Sequence, residues 1–322
     1  MRTRRSGYAL LAAAAVFVVS ACTAAHAAAP LLYVTNQSAG SVIVIDTATD
    51  SQLATLSVGP GPAMIAASPG GRHLYVTHPE KGRITVIDGG ALGRPRNLDV
   101  PGTPFGLASA GDGRLFVSDW NRDLLTVVDS ETGAMLSEIK VGRAPAQVVL
   151  APQSRRAFVA NREGDSISVV DMDRLVVIAT VGVGKAPFAL AVSPAGDRVY
   201  VANVQSSDVS VLDARSLENY GTVRVGAMPY GVAVAPDGTR LFVVNQQSGT
   251  VNVLDAASLV ATRRTSVGKY PESIAVLPDG SKAYVINWMS GDLSVLDGET
   301  GRELKRLQIG EGARGLVVAP SG

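Results

Sequence analysis

The chain has 322 residues, with 29 Lys and Arg against 28 Asp and Glu, 3 His and a single Cys. That balance leaves no basic footprint for nucleic acid or another polyanion. One Cys excludes a disulfide framework, and so few His and Cys exclude the ligand clusters of zinc and haem sites, so no cofactor is expected.

The chain opens on Arg2, Arg4 and Arg5 followed by an apolar run from Ala9 to Val19. This layout predicts a signal peptide over residues 1–27, because the run is too short to span a bilayer. Two processing signals compete. Val19-Ser20-Ala21-Cys22 resembles a lipobox that would lipidate Cys22, and Ala25-His26-Ala27 fits ordinary cleavage before Ala28. The lipobox reading is favoured, since the one Cys falls where a lipobox needs it. The expectation is therefore a periplasmic or envelope protein, with a possible lipid anchor to the membrane. Without the three leader arginines the charges become 26 against 28, still near balance.

From residue 31 onward one pattern repeats. Tyr33-Val34-Thr35-Asn36 recurs at Tyr75, Phe116, Phe158, Tyr200, Phe242 and Tyr284, with a step of 42 residues except for 41 between Tyr75 and Phe116. Within one unit, short β-branched and aromatic runs such as Tyr230–Val234, Arg240–Val244 and Val251–Leu254 are separated by Pro, Gly and Asp turns. Helical periodicity is absent. A fixed period near 40 filled by four short strands predicts an all-β fold, a seven-bladed β-propeller with four-stranded blades over residues 31–322. The repeat begins at a second strand and finishes at a first one, Arg314–Ala319. Pairing the N-terminal strands with that C-terminal strand would close the ring and remove open sheet edges.

Asp46, Asp88, Asp129, Asp171, Asp213, Asp255 and Asp297 end every third strand. A reaction needs such a carboxylate once or twice, so seven copies are read as Asx turns. Asn36, Asn161, Asn203, Asn245 and Asn287, which end second strands, are expected to serve turns as well. Arg263, Arg264, Lys305 and Arg306 on outer strands are read as edge protection.

The Tyr/Phe-Val-x-Asn segment, the Val-x-Val-Leu/Ile-Asp strand end, the Val-Gly-x-x-Pro link and the Ser/Ala-Pro-x-Gly turn together resemble the YVTN family of β-propeller repeats. The likeness covers residues 31–322. It implies an exported or surface-attached seven-bladed propeller, with a binding or accessory role more usual than a known reaction. His78 and Asp119 depart from the pattern by replacing its asparagine.

Function is expected where the copies disagree. The Pro-x-Gly turns on one face are monotonous, whereas the links and the loops after second strands are diverse. The residue after each link proline reads Ala63, Phe105, Ala146, Phe188, Tyr230 and Glu272, with Arg314 in the last copy. Phe105, Phe188, Tyr230, Glu272 and Arg314 are therefore candidates for a ligand site at the channel mouth, with Trp120 and Trp288 on neighbouring loops. Alternatively the aromatic side chains plug the channel. Arg143, Lys185 and Lys269 follow Val-Gly and are candidate anion-attracting groups, or plain solvated charges.

No Gly-x-Ser-x-Gly elbow occurs, and His73 and His78 lie five residues apart in an extended segment, pointing to opposite faces. Neither supports nucleophilic catalysis. A weak calcium site around Asp119 to Asp123, or a metal-dependent lactonase site at Glu272 with Asn245 and Asn287, remains open. The leading expectation is a non-catalytic, monomeric propeller that binds an envelope protein or small ligand through its variable face, with no catalytic residue and no nucleic-acid partner. The alternative is a metal-dependent lactonase-like or other hydrolytic enzyme with its site at the channel mouth, and a weaker alternative is single-stranded nucleic-acid binding.

Overall fold

Each repeat folds into a four-stranded antiparallel sheet, and seven such sheets form the molecule. The computed structural model describes residues 29–89 and 93–319, so the leader and Cys22 lie outside the described residues. Blade 1 holds Leu31–Asn36, Ser41–Asp46 and Ser51–Ser57, with Ala313–Ala319 as its innermost strand. Leu31 pairs with Ala319 and Val34 with Leu316, so the ring closes as expected from the repeat phase. Blades 2 to 7 follow in chain order, with first strands Ile65–Ala67, Pro104–Ser109, Pro145–Ala151, Pro187–Val192, Pro229–Val234 and Pro271–Val276.

The repeated residues are explained by what blades require of each other. Second and third strands are buried on both faces, because each sheet is covered by its neighbours on both sides. The aromatic residue of each Tyr/Phe-Val-x-Asn segment is buried between blades, with Phe116, Phe158 and Phe242 at 0% exposure. Where it is Tyr, the hydroxyl also reaches the following blade: Tyr33 donates to the Gly89 carbonyl at 3.1 Å and Tyr200 to that of Ala256 at 3.3 Å. The basic residue opening the second strand does likewise. Arg156 donates to Ala214, Arg198 to Ala256 and Arg240 to Gly298 at 2.7 to 2.8 Å, each in the following blade. Fourth strands face solvent on alternate residues, and Arg263 and Arg264 are exposed there.

The aspartates ending third strands build Asx turns in every blade but the second, where Asp88 meets His73 instead. Asp213 accepts from the backbone N–H of Arg215 and Ser216, and Asp255 from those of Ala257 and Ser258. The asparagines ending second strands differ from expectation. They are buried, none has a left-handed backbone, and most donate across to the third strand. Asn203 Nδ2 reaches Asp208 at 2.7 Å and Ser210 at 2.9 Å, and Asn287 reaches Asp292 and Ser294 in the same way. A buried primary amide satisfies strand-end oxygens that water cannot reach, and that need outweighs turn formation. Only Asn36 and Asp119 serve a turn, through the N–H groups of Ala39 and of Asn121 and Arg122.

Candidate functional site

The links between blades and the loops after second strands share one face because their backbones bond to each other. Val204 N–H donates to Ala186, Gln246 to Met228 and Trp288 to Tyr270. In blades 4 to 7 the residue before the link proline is held left-handed, at φ 49 for Ala144, 54 for Ala186, 56 for Met228 and 51 for Tyr270. The first strand then bulges. Pro187 pairs with Asn203 but Ala189 with Ala202, so Phe188 is an inserted residue, and the same shift frames Tyr230 and Glu272. A bulge re-aims the side chain it carries, and here the re-aimed positions are the diverse ones. In blades 1 to 3 hydroxyls of Thr35, Thr77 and Ser118 fix the next blade's bulge by bonding the carbonyls of Ala63, Phe105 and Ala146 at 2.5 to 2.8 Å.

The re-aimed side chains surround a recess of about 100 Å³ at the channel mouth, lined by Met64, Phe105, Gln147, Phe188, Tyr230, Glu272 and Arg314 among others. Five sequence candidates thus come together: Phe105, Phe188, Tyr230, Glu272 and Arg314. The aromatic side chains form one continuous wall. Phe188 and Tyr230 lie 4.2 Å apart at a tilt of 38°, and Phe105 meets Phe188 edge-on at 5.9 Å. Trp120 joins the wall from its loop, edge-on to Phe105 at 5.1 Å and to Phe188 at 6.5 Å. They narrow the channel without filling the space beside Glu272 and Arg314.

Glu272 is 9% exposed, and its Oε1 accepts from Gln246 Nε2 at 3.0 Å. Burial pushes its carboxyl above the usual carboxylate range, against the opposing pull of Arg314 and the Gln246 hydrogen bond. Burial also pushes the Tyr230 hydroxyl up, with Arg162 pulling it down, Glu272 raising it and Arg314 pulling it down. Arg162, in the single turn Arg162–Gly164, lies over the Trp120 ring at 5.6 Å. Sequence reasoning placed Arg162 among the diverse loop residues but did not single it out. The signal was there, since it occupies the loop position after a second strand.

Other candidates lie elsewhere. Trp288 packs on Tyr270 at 6.5 Å rather than on the aromatic wall. Arg143, Lys185 and Lys269 are exposed and do not line the recess. Arg143 donates to the Glu163 carbonyl at 2.6 Å, and Lys185 is paired with Asp165 at 2.6 Å. Arg314 is the basic group that lines the recess, and Arg162 lies beside it, over Trp120 and within electrostatic reach of Tyr230.

Of the metal site expected from Glu272 with Asn245 and Asn287, only Glu272 lines the recess; both asparagines tie their Nδ2 groups to the third strand and keep buried Oδ1 atoms without a partner. Asp119 and Asp123 serve backbone N–H groups and the cations Arg122 and Lys140. Among the described residues no group of three His, Cys, Asp or Glu is placed to hold a metal ion. His78 is buried, bonded to the Pro60 carbonyl at 2.9 Å and Thr85 at 2.8 Å, and burial holds its imidazole below the usual range.

A family model described as lactonase, seven-bladed β-propeller, matches residues 117–216, a stretch running from blade 3 into blade 5. No curated protein matches the chain. Among solved structures, a protein from Bacteroides fragilis provisionally assigned as a 6-phosphogluconolactonase is 16% identical with a TM-score of 0.76, over 90% of this chain and 98% of that one. A protein of unknown function from Desulfotomaculum acetoxidans is 15% identical with a TM-score of 0.78, over 91% and 99%. Hydrazine synthase from Kuenenia stuttgartiensis is 18% identical with a TM-score of 0.71, over 88% and 100%. Likeness at such identity speaks to the fold alone.

Proposed function

We propose that this propeller binds a small molecule in the recess at its channel mouth, and that its N-terminal leader exports it to the cell envelope, where Cys22, made the first residue by lipobox cleavage, anchors it by lipid. The observation carrying the binding reading is the convergence of Phe188, Tyr230, Glu272 and Arg314 on one recess. They stand at a single repeat position in blades 5, 6, 7 and 1, on bulges that aim side chains inward. Apolar walls with a few fixed polar groups are the usual make-up of a ligand site. A small ligand fits the recess better than a protein partner, since its groups are recessed rather than presented on a flat patch.

A second reading, lactone hydrolysis, is favoured by the Glu272 carboxyl and the family match over residues 117–216. In that reading Glu272, once ionised, takes a proton from the attacking water, and Arg314 faces the carbonyl oxygen as negative charge develops on it. The raised carboxyl would make the rate climb with pH through a value above the ordinary glutamate range.

One experiment serves both. Phe105→Ala, Phe188→Ala and Tyr230→Ala should each weaken binding of small ring compounds at least tenfold in calorimetry while leaving the protein folded. Binding unchanged in all three defeats the recess as the site. Turnover of lactones by the wild type, lost in Glu272→Gln, would establish the second reading, and no turnover across a lactone series would remove it. Mass spectrometry of the mature N-terminus tests the anchor, which a free N-terminus at Ala28 overturns.

A further inference from the structure

Two guanidinium groups at the mouth lack acceptors. The Nε atoms of Arg162 and Arg314 are buried without a hydrogen-bond partner, and neither side chain forms a hydrogen bond or ion pair among the described residues. Other arginines with a buried, unpartnered Nε differ. Arg240 binds the Gly298 carbonyl and Asp237, and Arg83 reaches the Val58 carbonyl at 3.3 Å. The Nε atoms are closed off from solvent, but the Nη atoms are not, and with no protein partner they are the donors that an acceptor from outside the chain can reach.

Glu272 does not supply that acceptor. Its Oε1 is taken by Gln246, and no ion pair joins it to Arg314. Burial works against its charged form, and the Arg314 guanidinium stands beside it in the recess. The two Nη atoms of a guanidinium can donate side by side to the two oxygens of a carboxylate. Beside these donors stand the Phe188 and Tyr230 rings, 4.2 Å apart. The recess of about 100 Å³ is somewhat smaller than the roughly 150 Å³ cavity that holds benzene, so one small ring can enter only partly, its remainder projecting from the open mouth.

We propose that the ligand is a small monocarboxylate carrying a single ring, its carboxylate held by Arg314, with Arg162 adding positive charge from over Trp120, and its ring seated against Phe188 and Tyr230. This rests on the reading of the recess as a ligand site. Trp120 reports on occupancy because it touches both Phe105 and Phe188 and carries Arg162 over its ring.

The test uses the folded chain with Trp288→Phe, so that Trp120 is the remaining indole, and follows its fluorescence during titration with benzoate, benzamide and gluconate. Benzoate should bind at least tenfold more tightly than benzamide, its neutral isostere, and than gluconate, a carboxylate without a ring. Arg314→Gln should erase the preference for benzoate over benzamide, Arg162→Gln should reduce it, and Lys185→Gln, a charge lost elsewhere on the face, should leave it intact. Should Arg314→Gln fail to fold, Arg162→Gln with Arg314→Lys carries the same comparison. Equal binding of benzoate and benzamide overturns the carboxylate assignment while the recess survives as a ligand site. Saturation by gluconate as tight as by benzoate overturns the ring. No saturable change with any of the three overturns both this proposal and the ligand site beneath it.

Discussion

Glu272 is the residue whose environment departs furthest from what a carboxylate prefers. It sits in the channel mouth at 9% exposure with one hydrogen bond from Gln246 and no ion pair. Its carboxyl is raised, so the folded state holds the proton more tightly than the unfolded chain does. By linkage its stabilising contribution is full below the ordinary glutamate range and disappears as pH rises through the raised value. Glu272→Gln mimics the neutral acid. The variant should therefore melt a few degrees higher than the wild type at pH 8 and at the same temperature near pH 4, as followed by circular dichroism. An equal difference at both values would show that burial does not govern this group. The residue was legible in the sequence because it broke a repeat position otherwise filled by Ala, Phe or Tyr and, in the last copy, by Arg314. Arg162 was harder to see, since a loop arginine reads as solvated charge until Trp120 is found beneath it.

At the scale of the strand and its link, the repeat encodes contacts that a column of identical letters does not reveal. The Val-Gly-x-x-Pro link needs glycine because its Cα rests on the buried amide of the strand-end asparagine. A Cβ on Gly226 would stand 2.6 Å from Asn245 Cγ and 2.8 Å from its Cβ, and Gly268 and Asn287 repeat the arrangement. Neither asparagine can move aside, since each amide is fixed to its third strand. Gly226→Ala should cost about 1–3 kcal/mol, lowering the melting temperature by several degrees. Gly182→Ala, where nothing lies within 4 Å of the added carbon, should be neutral. Similar losses in both would refute the packing account. The sequence made the strands and Asx turns plain, because alternation and turn chemistry are local. It assigned the asparagines to turns wrongly, because their partners lie on the next strand and register is not written beside them. For the same reason Arg143, Lys185 and Lys269 looked like mouth residues: sequence gives a position along the link, and only the bulge decides which positions turn inward.

For the whole ring the critical seam is the one joining blade 7 to blade 1. In blades 3 to 6 an arginine opening the second strand binds a carbonyl of the next blade, and in blade 7 Lys282 does so at Thr47, 2.8 Å away. The seam adds a second set of contacts around Asp50, which accepts from Lys282 at 2.9 Å, pairs with Lys305 at 2.8 Å and takes the Tyr284 hydroxyl. Burial alone would raise the Asp50 carboxyl, but the hydrogen bonds from Lys305, Tyr284 and Lys282 outweigh it and hold it below the usual range. A lowered value in the folded state means stability present above the ordinary aspartate range and lost as pH falls through the lowered one. Asp50→Asn should accordingly cost about 2–3 kcal/mol at pH 7, less than a fully buried pair because both lysines are partly exposed. The gap to wild type should narrow steadily below about pH 4. A cost that did not change with pH would mean the seam relies on shape rather than charge.

Blade 1 has a further consequence, for manufacture rather than for stability. Its three outer strands leave the ribosome ahead of the rest of the ring, while Ala313–Ala319, which must lie beside Leu31–Asn36, is made after every other strand of the ring. Until then Leu32 and Val34 lack the neighbours Ala313 and Leu316 with which they are finally packed. A message cut short by a few codons therefore yields an open arc with an unpaired apolar edge instead of a slightly smaller ring. Proteases that survey new proteins could tell the two apart at once.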